Sequence, residues 1–251
     1  MEMISVESHG KVVLAKLNHG ITNAINLKVV KELETILNQV KNDTGINGFV
    51  LGSSNEKFFS IGYDIPELFE MNRIDFKEFY RLFNQLCLDL FTLPKPTVAA
   101  ITGHAIAGGC ILALCCDYRF IAKGNKLMGL NEVKLGLPVP YMPDRLLHAL
   151  VGFCKAREMM ESGGFYPSNE ALVMGIVDKM LPIEDVVKSA IEHVDTLGSL
   201  PKVGYGIIKQ NRVEVIQEQV MARQDEKEAY FIESWYSDDA RKCLKEAMKK
   251  F

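Results

Sequence analysis

Apolar residues in this chain recur at two spacings, and the order in which those spacings alternate predicts the class of fold. "MISVES" and "KVVLAKL" are short β-rich runs separated by His9-Gly10, and together they predict a hairpin. "NLKVVKELETILNQVK" then sets Leu27, Val30, Leu33, Leu37 and Val40 at helical spacing, with Asn26 as the N-cap. "INGFVLGSS" reads as a buried strand that ends in small, turn-forming residues. A second amphipathic stretch, "DFKEFYRLFNQLCLDLFTL", predicts a long helix stopped ahead of Pro94 and Pro96. "TVAAIT" and "YRFIA" are further strands. Strands alternating with helices in this way imply an α/β fold with parallel crossovers.

Beyond about residue 184 the two-residue period disappears. "IEDVVKSAIEHVDTLGSL", "KVGYGIIKQNRVEVIQEQVMA" and "SDDARKCLKEAMKKF" all carry helical spacing with no strand between them. The last opens on Ser237 and two aspartates and ends in lysines, which complements a helix dipole. Its apolar face of Ala240, Leu244, Ala247 and Phe251 must pack on something. The division predicted is an α/β core over residues 1–183 and a helical region over 184–251.

Composition narrows the function. The 251 residues are 48% hydrophobic and 24% charged, and the net charge is −3. A mildly acidic chain without a basic run is a poor match for a phosphate backbone, so nucleic acid is not expected as a partner. Six cysteines, at 87, 110, 115, 116, 154 and 243, form no CxxC pair and no zinc-type spacing, and no metal is expected. Most lie in apolar stretches, where cysteine behaves as a small hydrophobe and a reducing compartment is implied. The N-terminal segment lacks the pattern of a secretory signal, and no run could span a bilayer. The expectation is a soluble intracellular protein, cytoplasmic with an organelle matrix as the alternative, and with no membrane partner.

Two glycine-bearing segments follow strands: "FFSIGYDI", and "ITGHAIAGGC" within "GHAIAGGCILALCCDYRF". A Gly-Gly pair disfavours a helix interior but suits a helix start, where free amides face a ligand. Ligands bind beyond the carboxyl ends of strands in open α/β sheets, so amides freed by Gly62 and by Gly108-Gly109 could share one anionic oxygen.

Together with "NAIN", "KPTVAAITGHAIAGGCILALCCDYRFIA", "GLNEVKLGL" and "PSNEALVMGIVDKML", these segments resemble the enoyl-CoA hydratase/isomerase (crotonase) superfamily over nearly the full chain. The resemblance implies a spiral of ββα units, closed by C-terminal helices that assemble a homotrimer or a hexamer. It implies an acyl-CoA thioester as substrate, with coenzyme A as part of that substrate and no separate cofactor. An enolate formed at the thioester would be held by two backbone amides, which on the matching positions belong to Tyr63 and Gly108. The same match puts Ala24 and Ile25 at the adenine end of coenzyme A. Residues 61 to 65 (Ile61, Gly62, Tyr63, Asp64, Ile65) would follow the thioester and pantetheine, and Gly109, Ile111 and Asn131 would lie near the acyl group.

Members of the family differ in their acid and base groups. Hydratases carry two glutamates, and at the first of those positions this chain has Ile111. Isoleucine can neither hold water nor pass a proton. The second position is kept as Glu132, and one glutamate beside two amides resembles the Δ3,Δ2-enoyl-CoA isomerases. A single carboxylate suffices for a 1,3-proton shift, because it can take a proton from C2 and return it at C4 on one face of a dienolate. Hydration, hydrolysis or decarboxylation of another CoA thioester is the alternative, and a non-catalytic CoA- or RNA-binding relative is a third.

Other conspicuous residues read as structural. Asp64 suits the N-cap of "IPELFEM", with Pro66 early in that helix. Cys115-Cys116 read as helix core, His104 as a loop residue, His148 as part of a helix face and "MARQDEKEAY" as a solvated face. Trp235, the one tryptophan, would pack at an interface or over the ligand pocket.

Overall fold

The computed structural model describes residues 3–249, so Phe251 of the C-terminal apolar face lies outside the described residues. Strands β1 (Ile4–His9) and β2 (Val12–Leu17) form the predicted hairpin, turning at Gly10 with φ +61°. Helix α1 (Leu27–Asn42) starts at Asn26, whose side chain accepts the Val29 amide at 3.1 Å. The chain then runs three times round one circuit. Strand β3 (Gly48–Ser53) leads to a short strand β4 (Phe58–Ser60) and to helices α2 (Ile65–Phe69) and α3 (Arg73–Thr92). Strand β5 (Thr97–Ile101) leads to β6 (His104–Ile106) and α4 (Gly108–Leu114). Strand β7 (Tyr118–Ala122) leads to β8 (Leu127–Gly129), a 3-10 turn (Glu132–Leu135) and α5 (Tyr141–Ser162).

Successive circuits stack in parallel register. One sheet has the order β1-β2-β3-β5-β7-β10, where β10 is Lys179–Leu181, and only its β1–β2 pair is antiparallel. The second has the order β4-β6-β8-β9, where β9 is Tyr166–Pro167, followed by α6 (Ser168–Met174). This is the ββα spiral that the resemblance implied. "FFSIGYDI" and "ITGHAIAGGC", expected as loops, each contain a strand of this second sheet. Three residues hold too little of a two-residue period to be seen from spacing alone.

The larger sheet is covered on both faces, and the alternation along its strands says which residue goes where. Val13, Ala15, Leu51, Ala99 and Ile121 join the core under α1 and α3. Val12, Leu14, Val50, Val98, Ala100 and Phe120 face Val186, Ala190 and Val194 of α7 (Ile183–Gly198). The first helix of the C-terminal region is therefore a layer of the core. After it come α8 (Lys202–Trp235) and α9 (Asp238–Met248), the latter capped by Ser237, which accepts the Ala240 amide at 3.3 Å. Ala240 packs against Gly136, where a Cβ would lie 3.0 Å from the Ala240 Cα, and this seats α9 on the 3-10 turn.

Three expectations need correction. The run from Met221 to Tyr230 is not all solvated face: Glu228 is buried and accepts from Arg81 Nε at 2.7 Å and from Gln224 at 3.0 Å. His104, read as a loop residue, instead begins strand β6, and Cys115 and Cys116, read as helix core, follow the last residue of α4. Cys115 and Cys116 are buried, and His148 bonds the Asp144 carbonyl at 2.9 Å on α5. Among the described residues, no helix is long and apolar enough to cross a membrane.

Candidate active site

The two glycine-bearing segments meet because a network of short side chains ties them to the strand ends. Asn23, at φ +48°, donates to Ser53 Oγ at 2.9 Å and to the Phe59 carbonyl at 3.1 Å. The Ser60 hydroxyl donates to the Asn23 carbonyl at 2.7 Å and accepts the Gly62 amide at 3.1 Å. Ile25 then donates to the Gly62 carbonyl at 2.8 Å, and Asp64 donates to the Ile25 carbonyl at 2.9 Å. In this parallel bridge Tyr63 pairs with Ile25 through its neighbours, so its own amide faces the opposite side. Asp64 caps α2 as expected, accepting the Glu67 amide at 3.2 Å.

On that opposite side stands the start of α4. Gly108 is its first residue and Ala107 its N-cap, with no side-chain cap, so the first amides lack helical partners. Glycine is required at two points here and fits tightly at a third. A Cβ on Gly62 (φ +93°) would fall 2.8 Å from Gly108 N, one on Gly109 would fall 2.7 Å from Ser60 Cβ, and one on Gly108 would crowd Gly62 Cα at 3.2 Å. Ala107 holds φ +47° and ψ −121°, a conformation that costs a non-glycine residue about 1–3 kcal/mol. Its amide is fixed by donation to the Gly129 carbonyl at 2.9 Å.

Both segments open onto a cavity of about 910 Å3 whose lining includes Ile61, Tyr63, Ile65, Ala107, Gly108, Ile111, Asn131 and Glu132. Seven residues expected at the site are thus on its wall. Ala24, Ile25, Gly62, Asp64 and Gly109 do not line it; Gly62 and Gly109 are buried where the two segments meet, and Asp64 is half-buried as the cap of α2. Residues the sequence reading did not assign complete the lining, among them Ile106, Leu137, Phe231 and Leu244. The helical spacing of α9 was the one signal available for Leu244, since an apolar face had to be covered.

Glu132 opens the 3-10 turn just after β8 and is 5% exposed. Its Oε2 has no hydrogen-bond partner among the described residues, and neither does the Oδ1 of neighbouring Asn131. Burial pushes the Glu132 carboxyl from 4.5 up to about 7, against a weaker pull from its own backbone amide. The Tyr63 phenol and the Cys110 thiol, both pushed up mainly by burial, also sense the Glu132 charge, which puts the carboxylate in their neighbourhood. The other carboxylates on the lining, Asp239 and Glu246, are exposed residues of α9. His104 also lines the cavity, but its Nδ1 accepts the Leu127 amide at 3.0 Å, joining β6 to β8. Burial lowers its pKa, so the imidazole is neutral and its proton sits on Nε2.

The family model described as "Enoyl-CoA hydratase/isomerase" matches residues 7–251. The chain belongs to the enoyl-CoA hydratase/isomerase family. Within it, the mitochondrial enoyl-CoA delta isomerase 1 of Mus musculus is 34% identical over 195 residues, which are 77% of this chain and 67% of that protein. The short-chain-enoyl-CoA hydratase of Clostridium acetobutylicum is 32% identical over 208 residues, 82% of this chain and 79% of that one. Human mitochondrial delta3-delta2-enoyl-CoA isomerase superposes with a TM-score of 0.95 at 27% identity, covering 99% of this chain and 97% of that one. Membership of this family makes the spiral a crotonase fold and the chain an enoyl-CoA enzyme. Relatives of both reaction types stand at similar distances, so the choice between them rests on the chemistry of the cavity.

Proposed function

We propose that this enzyme is a Δ3,Δ2-enoyl-CoA isomerase. The observation that carries the reading is that, among the described residues, Glu132 is the one buried carboxylate on the cavity lining, with buried Ile111 on the same wall. The substrate is a 3-enoyl-CoA and the product its 2-trans isomer, as in the oxidation of unsaturated fatty acids. No cofactor is used beyond the coenzyme A that the substrate carries.

The amides of Tyr63 and Gly108 receive the thioester oxygen. A proton α to a thioester is too weakly acidic for a free carboxylate to remove quickly, so the charge arriving at that oxygen must be stabilised. Loss of one such donor costs on the order of 3 kcal/mol, about 100-fold or more in rate. Ionised Glu132 removes the proton at C2, the dienolate forms with its charge on the thioester oxygen, and protonated Glu132 returns the proton at C4. A pKa of about 7 keeps both forms within reach at neutral pH, as a group that acts first as base and then as acid requires. Ile111 keeps water from the intermediate, and hydration has no second acid to activate it.

The test uses two substrates separately. Trans-3-hexenoyl-CoA should gain 2-enoyl absorbance, and crotonyl-CoA should not lose it. Loss of absorbance from crotonyl-CoA at a comparable rate would make the enzyme a hydratase, the reading its Clostridium relative favours. We further propose a homotrimer or a dimer of trimers. Its support is the family and the apolar residues Val203 and Ile208, exposed to 77% and 71% on α8. A monomeric mass in sedimentation would remove that part.

A further inference from the structure

The cavity is amphipathic from end to end. Lys242 and Glu246 of α9 and Lys134 sit at an exposed rim, while Ile65, Leu137, Phe231 and Trp235 line an apolar interior. A coenzyme A ester is amphipathic in the same sense. Its phosphates must stay at the hydrated rim, because an unpaired buried charge is prohibitive. Its acyl tail therefore enters the apolar end.

We infer that the Trp235 indole is the end wall of the acyl site and sets the longest chain the enzyme accepts; this rests on the reading of the cavity as an acyl-CoA site given above. Trp235 is 1% exposed and ends α8, one turn after Phe231 on the same helix face. Its indole lies on the cavity lining, but the ring it stacks on, Phe76 at 4.3 Å between centroids and 18° between planes, does not. Phe79 and Phe83 also lie behind, meeting the Tyr63 ring edge-on at 5.1 Å and 5.0 Å. The indole is thus a partition one ring thick between the cavity and the aromatic core under α3.

It is also close to the reacting end. Its centroid is 6.5 Å from that of the Tyr63 ring, and Tyr63 is the residue whose amide receives the thioester oxygen. The indole therefore stands beside the side chain of the residue that holds the thioester, on the apolar part of the lining where the acyl chain must run. The wall is a costly choice on stability alone, because the buried indole Nε1 has no hydrogen-bond partner among the described residues. Phenylalanine would fill the stack without an orphaned donor but would be smaller. The size of the indole is what the site gains.

Binding of saturated acyl-CoAs reads this wall without any chemistry. Dissociation constants are measured by calorimetry for butyryl-, hexanoyl-, octanoyl-, decanoyl- and dodecanoyl-CoA. For the unmodified enzyme, affinity should rise about fourfold per methylene while chain enters the apolar end. It should stop rising within the series, where the chain meets the indole. Trp235→Phe should move that break to a longer chain, and Trp235→Ala should move it further. Trp235→Phe keeps the stack on Phe76, so it alone decides the matter if Trp235→Ala does not fold. An unmodified enzyme with no break up to dodecanoyl-CoA, or a folded Trp235→Phe with an unmoved break, overturns the inference. Failure of trans-3-hexenoyl-CoA to isomerise would instead remove the proposed reaction and leave the binding series intact. Failure of every acyl-CoA to bind would remove the reading of the cavity itself.

Discussion

Two buried acids in this molecule are treated in opposite ways. Asp117, immediately before β7, is 8% exposed and surrounded by donors. One oxygen accepts from the Thr97 amide at 2.9 Å and from Lys209 Nζ at 2.8 Å, and the other accepts from Arg212. Lys209, buried on α8, donates in addition to the Lys95 carbonyl at 2.8 Å. Glu132 is buried as deeply, yet among the described residues one of its oxygens has no partner and no cation faces it. A charge that is paired holds two elements together; a charge left unpaired is pushed toward its neutral form and becomes able to exchange a proton near pH 7. One acid clamps α8 to the sheet, and the other is kept reactive.

Exchanging each acid for a neutral residue should separate the two roles. The largest effect is on turnover: Glu132→Gln should lower isomerisation of trans-3-hexenoyl-CoA by about 10^3-fold or more while saturated acyl-CoA still binds. Retention of most of the activity would exclude Glu132 as the base. Next in size, Asp117→Ala should destabilise the fold by about 3–5 kcal/mol, because Lys209 is left buried and unpaired. Calorimetric melting should show this as a fall of roughly 10 °C, from about 2–4 °C per kcal/mol at this size. An unchanged melting temperature would mean that the clamp contributes nothing net.

A smaller effect has the opposite sign. The folded chain keeps the Glu132 proton up to about pH 7, whereas the unfolded chain releases it near 4.5. Between these values the folded state binds the extra proton, so this group's contribution is complete below pH 4.5 and is lost as pH rises through about 7. Glu132→Gln does not titrate, so it should be more stable than the parent above pH 7, by on the order of 3 kcal/mol. Denaturant melts at pH 5 and pH 8 would show the gap opening, and an equal gap at both would contradict it. The smallest effect is in the pH profile. The parent's kcat/KM should fall below a pKa of about 7, because the free enzyme needs Glu132 ionised. A profile flat from pH 5.5 to pH 8 would show that the carboxyl is not held up by burial.

The elements with a full period were legible in the sequence. The spacing in α1 and α3 and the caps at Asn26, Asp64 and Ser237 stand where they were expected, because helix signals are local. The candidate base and the two amides were reached through resemblance; spacing alone offered only glycines after strands. The second sheet escaped because its strands are two or three residues long and pair only across circuits of the spiral. The inner wall of the cavity escaped for a related reason. Phe231 and Leu244 lie more than a hundred residues after the glycine segments, and nothing local marks them as neighbours; Trp235 was expected at an interface or over the pocket, and it is on the cavity lining.

The sequence by itself determined the amphipathic helices and the longer buried strands, since these follow from periodicity. Only the tertiary structure decided which buried acid would be paired and which left bare. It also decided that Ala107 would take a strained turn in front of an open helix end, and that one indole would divide a cavity from the core. Charge pairing and cavity shape depend on distances between remote parts of the chain, and those distances exist only once the spiral has closed.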